Sequence, residues 1–176
     1  MSLVDYEAAV ERLLRFLDVE GITGQEAHIR ETLVETLRAV GVPASAISFD
    51  QVHKDIPLAT QTGNLIVQLK GRGKLKDQPR LLFMTHMDTV PLAAGARARR
   101  QKRKIVNDAK TALGGDNRTG CGVLVSLAAE LIRHKLDHPP LTLLFTVREE
   151  SGMWGARLLD KATLGNPSMG YNFDGV

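Results

Sequence analysis

His86 and Asp88 follow a short apolar run. They have the spacing of a metal ligand and its hydrogen-bond partner. The run, residues 80–84, predicts a buried strand, which Pro91 cannot continue. Alternate residues of an extended chain point to the same side. One ring nitrogen of His86 can therefore bind a metal while Asp88 accepts a hydrogen bond from the other. Taken alone, His-x-Asp is more typical of a polar strand end.

Further carboxylates occur where other predicted elements begin or end. Asp116 follows two glycines and precedes an apolar helix, a position equally typical of a helix N-cap. Glu149 and Glu150 end the strongly apolar strand 141–147. Desolvating adjacent glutamates is costly unless a cation compensates their charge. Asp174 ends the last predicted strand, so every one of these carboxylates is a candidate ligand.

Alternating strands and helices must bring these side chains together. Helical periodicity predicts helices over residues 3–18 and from about residue 23 or 25 to Val40, both interpreted as scaffold. It also predicts an apolar helix after Asp116 and a short helix over 153–161, and residues 91–115 are expected to be irregular. The carboxyl ends of parallel strands converge on one sheet edge, which predicts one site there. Imidazole with hard carboxylate oxygens suits zinc, manganese or cobalt, and several carboxylates suit two ions with a shared ligand. The predicted strands are 46–52, 64–69, 80–85, 141–147 and 169–174.

Composition is that of an ordinary soluble globular protein of one domain. A single cysteine, Cys121, rules out an internal disulfide and fits a reducing compartment, so we expect a cytoplasmic location. The first residues have neither the basic start nor the apolar core of a signal peptide. Apolar runs are all shorter than the roughly 20 residues of a membrane span, so no membrane partner is expected.

The net charge of +3 comes from one segment, residues 97–104, which carries six positive and no negative side chains. Without those six charges the rest of the chain has a net charge of −3. The segment is interpreted as a solvated hairpin or loop, with a nucleic-acid patch or localisation signal as alternatives. Aromatic residues are not interleaved with the basic ones, so no nucleic-acid partner is expected. His134 and His138 have metal-site spacing, but Pro139 follows at once and they are interpreted as surface residues.

Four ordered motifs together resemble the metallopeptidase family M20, and within it the peptidase T (tripeptide aminopeptidase) branch. The motifs are Thr-His-Met-Asp-Thr-Val-Pro at 85–91, Gly-Gly-Asp-Asn-Arg-Thr-Gly at 114–120, Arg-Glu-Glu-Ser-Gly at 148–152 and Phe-Asp-Gly at 173–175. The resemblance extends over essentially the whole chain. It implies an α/β fold, a three-layer αβα sandwich with a mostly parallel central sheet, as in zinc exopeptidases.

The resemblance also implies an activity and a role for each motif residue. The activity is that of an exopeptidase on short peptides, in which a two-metal-activated water attacks the peptide bond. Asp116 would bridge two divalent ions, expected to be zinc with cobalt or manganese as alternatives. The Asp116–Asn117 peptide bond would be cis. The remaining roles would be His86 and Asp174 as ligands of one ion, Glu150 as ligand of the other, Asp88 as the residue that orients His86, and Glu149 as general base.

The family pattern also contains parts that this sequence does not match. Residues 1–176 would be the N-terminal segment of a catalytic domain, without the later histidine that completes the second ion's site. The lid domain, through which the full-length protein would form a homodimer, would also be absent. The segment is then expected to be truncated and to have an unpaired sheet edge, and loss of activity in the segment is left open. An amidohydrolase of N-acyl amino acids and a catalytically silent fragment remain alternatives.

Overall fold

Helices pack against a five-stranded sheet in the computed structural model, which describes residues 3–175. The helices in that range are α1 (Tyr6–Asp18), α2 (Ala27–Ala39), α3 (Gly115–Arg133) and the short α4 (Trp154–Arg157). The strands are β1 (Ile47–Phe49), β2 (Leu65–Leu69), β3 (Leu81–His86), β4 (Ala98–Gln101), β5 (Lys104–Asn107), β6 (Leu141–Thr146) and β7 (Met169–Asn172). The predicted order of elements is therefore confirmed, apart from the differences described below.

The main sheet has the strand order β1-β2-β6-β3-β7. Strand β3 pairs in parallel with β6 and β7, whereas β2 is antiparallel to both β1 and β6. Four of the five strands therefore run in the same direction, as the expected mostly parallel sheet requires. His86, the last residue of β3, pairs with Thr146, the last residue of β6. This register brings the carboxyl end of β3 beside the segment that follows β6.

The sheet is covered unequally on its two faces. Helices α1, α2 and α3 pack on one face, where alternate residues of β2 and β6 are buried against the apolar stripes of the helices. The opposite face has a smaller cluster, in which Ile66, Leu82 and Leu144 contact Leu164 from the segment after α4. The arrangement is a three-layer αβα sandwich whose second outer layer is thin. Residues buried on the helix side include Phe16, Ile29, Leu33, Leu37, Leu65, Val67, Leu124, Leu143 and Phe145.

Several predicted elements are shorter than their sequence patterns indicate, and for two of them a single aspartate accounts for the difference. The strand predicted over 46–52 ends at Phe49 because the Asp50 side chain accepts hydrogen bonds from the main-chain N–H groups of Val52 and Asn64, at 3.3 and 2.8 Å. An aspartate that bonds nearby backbone turns the chain out of the strand. The helix predicted over 153–161 ends at Arg157 for a similar reason, since Asp160 caps a separate 3-10 turn.

The basic segment forms the hairpin β4–β5, which confirms the first of its two structural interpretations. Lys102 has a φ of 56° at the turn of this hairpin. Arg99 forms an ion pair with Asp108 at 2.8 Å, and Arg100 forms one with Glu7 of α1. The Arg100–Glu7 ion pair therefore links the hairpin to α1, whereas the Arg99–Asp108 pair lies within the hairpin region. The region 91–115, expected to be irregular, includes this regular element.

Strand β7 forms an edge of the main sheet in the described part of the chain, where it pairs with β3 alone. Its residues are exposed, and Tyr171 stacks on Phe83 with ring centroids 5.3 Å apart. Phe173 also contacts Phe83, with centroids 6.0 Å apart. These ring contacts anchor the strand that leads to Asp174. Among the described residues, no helix combines the length and apolar character that crossing a membrane requires.

Candidate metal centre

The imidazole of His86 lies at the carboxyl end of β3, is 2% exposed, and has carboxylates on both sides. Its Nδ1 atom is 3.1 Å from the main-chain oxygen of Asp88 and 3.3 Å from Asp88 Oδ1. Its Nε2 atom points the other way and is 3.1 Å from Asp116 Oδ1 and 3.4 Å from Asp174 Oδ1. Glu149 Oε2 lies further off, 3.9 Å from Nε2. One ring nitrogen is thus held by Asp88, and the other faces a group of acids.

The three residues His86, Asp116 and Asp174 each offer one ligand atom, and these atoms lie within 4.8 Å of one another. They come from three elements: the end of β3, the first turn of α3 and the segment after β7. The two aspartates are exposed while the histidine is buried, so the group opens toward solvent. An imidazole nitrogen with carboxylate oxygens is a donor set that suits zinc, manganese or cobalt.

Asp116 lies in the first turn of α3 and not at its cap. The cap residue is Gly114, which has a φ of 75°, and the backbone of Asp116 itself is not helical. The Asp116–Asn117 peptide bond is cis, as the resemblance implied. The Asp116 carboxylate faces His86, so the N-cap alternative for this residue is wrong.

The buried carboxylate of Asp88 joins two parts of the site. Besides its contact with His86, it accepts hydrogen bonds from the main-chain N–H groups of Glu149 and Glu150, at 3.0 and 3.2 Å. The predicted role of orienting His86 is therefore accompanied by a second contact, which sequence spacing did not indicate. The same side chain fixes the histidine and the turn that carries both glutamates.

The pKa values of His86, Glu149 and Glu150 are all raised in this site. Burial lowers the pKa of His86, but the hydrogen bond and charge of Asp88 and the charges of Glu149 and Asp174 outweigh it and raise the pKa to about 9. Burial raises the pKa of Glu149, and Asp174 adds repulsion although His86 opposes it. Burial and repulsion by Asp116 raise the pKa of Glu150. The site therefore holds excess negative charge that favours binding a proton or another cation.

Glu150 is outside the three-residue group, although its pKa responds to Asp116. His134 and His138 lie at the end of α3 and beyond it. His134 Nε2 is 3.2 Å from Glu130, and the backbone of His138 forms a bridge with Arg72. Neither belongs to the group around His86.

Three residues in contact with this region were not singled out from the sequence. Asn117 donates hydrogen bonds to the main-chain oxygen of Phe173 at 2.7 Å and to Asp174 Oδ1 at 3.3 Å. Arg118 is buried and donates to the main-chain oxygens of three residues, and Glu26 is buried at the start of α2. The first two lie in the Gly-Gly-Asp-Asn-Arg-Thr-Gly motif, which was a usable signal. The sequence around Glu26 indicated only scaffold.

Comparison with known proteins relates this geometry to a family. The sequence model of the peptidase family M20/M25/M40 matches residues 82–175, which include all six predicted site residues. The chain belongs to this family. A curated relative is the uncharacterized protein YqjE of Bacillus subtilis, 28% identical over 172 residues that make up 98% of this chain and 44% of YqjE.

Solved structures of two peptidases agree with the fold. The aminopeptidase PepT of Bacillus cereus has 26% identity and a TM-score of 0.88, and the match covers 99% of this chain and 44% of that one. A tripeptidase of Staphylococcus aureus has 24% identity and a TM-score of 0.86, with the same coverage of 99% and 44%. The chain thus spans less than half the length of these proteins.

Proposed function

We propose that this chain is the catalytic segment of a metal-dependent exopeptidase, an aminopeptidase that acts on short peptides. One observation carries the proposal. The carboxylates of Asp116 and Asp174 converge on His86 Nε2, at 3.1 and 3.4 Å, in a chain that belongs to a peptidase family. The likeness to the PepT aminopeptidase and to the tripeptidase supports short peptides as substrates.

The proposed ligands fit a pair of divalent cations. His86 and Asp174 would hold one ion and Glu150 the other, with Asp116 between them; zinc is the expected metal, with cobalt or manganese as alternatives. Bound divalent ions supply Lewis acidity that activates water and stabilises negative charge on the carbonyl oxygen of the substrate. The raised pKa values of His86, Glu149 and Glu150 support the fit, because they reflect an excess of negative charge at one place.

Glu149 is the proposed general base. Its side chain is 31% exposed and its Oε2 atom lies 3.9 Å from His86 Nε2, so it borders the site and remains open to substrate. A raised pKa brings a carboxylate closer to the working pH, which improves proton transfer in both directions. In the proposed reaction Glu149 takes a proton from the attacking water and later gives one to the leaving amine. Asp88 keeps the ring of His86 in a fixed orientation.

We further propose that residues 1–176 correspond to the N-terminal segment of a catalytic domain in a cytoplasmic protein. The 44% coverage of its relatives supports this correspondence. In the full-length protein, a lid domain would complete the substrate site and mediate a homodimer. Neither a membrane nor a nucleic acid has a part in this proposal.

Calorimetric titration with Zn²⁺, Mn²⁺ and Co²⁺, followed by assays on di- and tripeptides, tests the function. We expect metal binding that is lost in Asp116→Asn and kept in Asp108→Asn, a control acid that pairs with Arg99 on the hairpin. We expect metal-dependent release of N-terminal residues from peptides. Absence of metal binding would reject the proposal, and hydrolysis of N-acyl amino acids alone would replace it with a deacylase. Metal binding without turnover of either substrate class would identify a silent segment.

A further inference from the structure

Three consecutive main-chain N–H groups at the turn after β6 are bound by two buried carboxylates. Asp88 accepts from Glu149 and Glu150, as described above. The remaining N–H group, that of Arg148, donates to Glu26 Oε1 at 3.1 Å. Glu26 lies 122 residues before this turn in the sequence and outside the matched family segment 82–175.

The position of Glu26 at the start of α2 predicts a helix-capping role, which differs from the one that its contacts indicate. It is the N-cap residue of α2, yet its side chain accepts no capping hydrogen bond from that helix. Its Oε1 atom accepts from the N–H of Gly24 at 2.7 Å as well as from Arg148, and its Oε2 atom is buried without a hydrogen-bond partner. The residue is completely buried, and burial raises the pKa of its carboxyl group. Burying a carboxylate is costly, so a helix end alone does not account for it.

The neighbouring contacts show that this part of the turn is held from several directions. Arg148 has a φ of 53°, a conformation that non-glycine residues seldom adopt. Its guanidinium donates to Thr60 Oγ1 at 2.7 Å, to Ser151 Oγ at 3.1 Å and to the main-chain oxygen of Ala59. The position of the Arg148 backbone therefore depends on the loops around it. Glu26 is the group that accepts a hydrogen bond from the Arg148 N–H.

We infer that Glu26 is a positioning residue, which holds the Arg148-Glu149-Glu150 turn so that both glutamates face the site. The inference rests on the proposed function, because it assigns Glu149 and Glu150 the roles given there. The hydrogen bonds of Glu26 go to the main-chain N–H groups of Gly24 and Arg148 and not to a proposed ligand. It acts by accepting the Arg148 N–H, as Asp88 accepts the next two.

Three substitutions separate the reach of the Glu26 side chain from its charge. Glu26→Gln keeps an acceptor oxygen at the same distance without the charge, whereas Glu26→Asp keeps the charge on a chain one methylene shorter. Glu26→Ala removes both. If an acceptor at the right reach is what matters, Gln should behave like wild type and Asp like Ala, so the test survives if the alanine variant fails to fold.

Amide hydrogen exchange by NMR on the metal-free chain is the first measurement. We expect exchange at residues 148–150 to accelerate at least about tenfold in the Ala and Asp variants and to stay near wild type in Gln. The matched control is Glu130→Ala. Glu130 is also buried and accepts a main-chain N–H, that of Asp5, but it is not bonded to the turn. Unchanged exchange at the turn, or equal acceleration in the control, would overturn the inference.

Co²⁺ titration of the same variants, followed by the d–d absorption of the bound ion, is the second measurement. Residues that orient metal ligands typically change metal affinity 10- to 100-fold. We expect Co²⁺ affinity to fall about tenfold or more in Ala and Asp and to be restored in Gln. If wild type binds no Co²⁺, the proposed function fails while hydrogen exchange still decides whether Glu26 holds the turn. If wild type binds Co²⁺ and all variants match it, the positioning role fails alone.

Discussion

The carboxylate of Asp88 is completely buried, with Oδ1 3.3 Å from His86 Nδ1. The same oxygen accepts the main-chain N–H of Glu149 at 3.0 Å, so one side chain holds a proposed ligand and the proposed base. We expect Asp88→Asn to weaken Zn²⁺ binding about 10- to 100-fold, because an amide presents one acceptor oxygen in place of two and no charge. Competition with a chromophoric chelator measures the affinity.

Asp137→Asn is the control for this substitution. Asp137 also accepts a main-chain N–H, that of Lys74, but it is exposed and lies outside the proposed site. Its variant should bind Zn²⁺ like wild type. Wild-type affinity in Asp88→Asn would show that His86 keeps its orientation without this carboxylate.

Glu149→Gln should separate metal binding from turnover. Glutamine has nearly the same shape but cannot take up a proton, and general-base catalysis typically contributes about 10²- to 10⁴-fold in rate. We therefore expect kcat for tripeptide hydrolysis to fall by that factor while Zn²⁺ affinity changes little. Glu150→Gln is the comparison, since loss of a ligand should weaken metal binding first. If the two variants lose metal equally, Glu149 is a ligand and its role as base is wrong.

The sequence predicted the parts of the fold that depend on local periodicity. The stripe Ile29, Leu33, Leu37 has helical spacing, and all three side chains are completely buried in α2. Apolar runs likewise located β3 and β6, because strands at the centre of a sheet must be apolar on both faces. Elements near Asp50 and Asp160 were predicted too long, because hydrogen bonds from a single side chain to the nearby backbone ended them.

The candidate site was predictable where its residues lie at the ends of elements and have donor atoms that suit a metal. His86, Asp116 and Asp174 could be grouped in this way, and the structure brings them within 4.8 Å. Glu26 could not, because its partner is a main-chain N–H 122 residues away, and backbone contacts leave no pattern in side-chain chemistry. Asn117 lies in the motif at 114–120, which was a usable signal, but its contact with the main-chain oxygen of Phe173 leaves no such pattern.

The metal-free protein should lose stability as the pH rises from about 6.5 to about 9. His86 has a folded-state pKa of about 9, above the ordinary histidine pKa of 6.5, so the folded state holds a proton that the unfolded chain releases across this interval. The stabilisation is complete below pH 6.5 and lost as the pH passes 9, and at 1.36 kcal/mol per pKa unit it is on the order of 3 kcal/mol. Urea denaturation at a series of pH values measures it.

His86→Gln isolates this contribution from other titrating groups. Its free energy of unfolding should change less than that of wild type between pH 6.5 and 9, because the proton-binding group is gone. Zn²⁺ added to wild type at pH 7.5 should release protons, which calorimetry in buffers of different ionisation enthalpy detects, since a ligand nitrogen must be deprotonated. Parallel stability curves for the two proteins would show that His86 does not bind the proton.

Arg118 is the buried cation beneath the site, and its removal should destabilise the fold. Its guanidinium donates to the main-chain oxygens of Met87, Val19 and Gly21, the last two at 3.2 and 3.3 Å. Burial lowers the pKa of Arg118, while the neighbouring charges, including that of Asp88, oppose the shift. Arg118→Met keeps the length of the side chain but removes the donor to three carbonyls, of which that of Gly21 keeps the N–H of Thr89, and removes one of the cations near Asp88. We expect a loss of about 3–5 kcal/mol in the free energy of unfolding, measured by urea denaturation.

Arg99→Met, which breaks an exposed ion pair with Asp108, should leave the unfolding midpoint unchanged. Equal midpoints for the two variants would mean that the carbonyls around Arg118 find other donors.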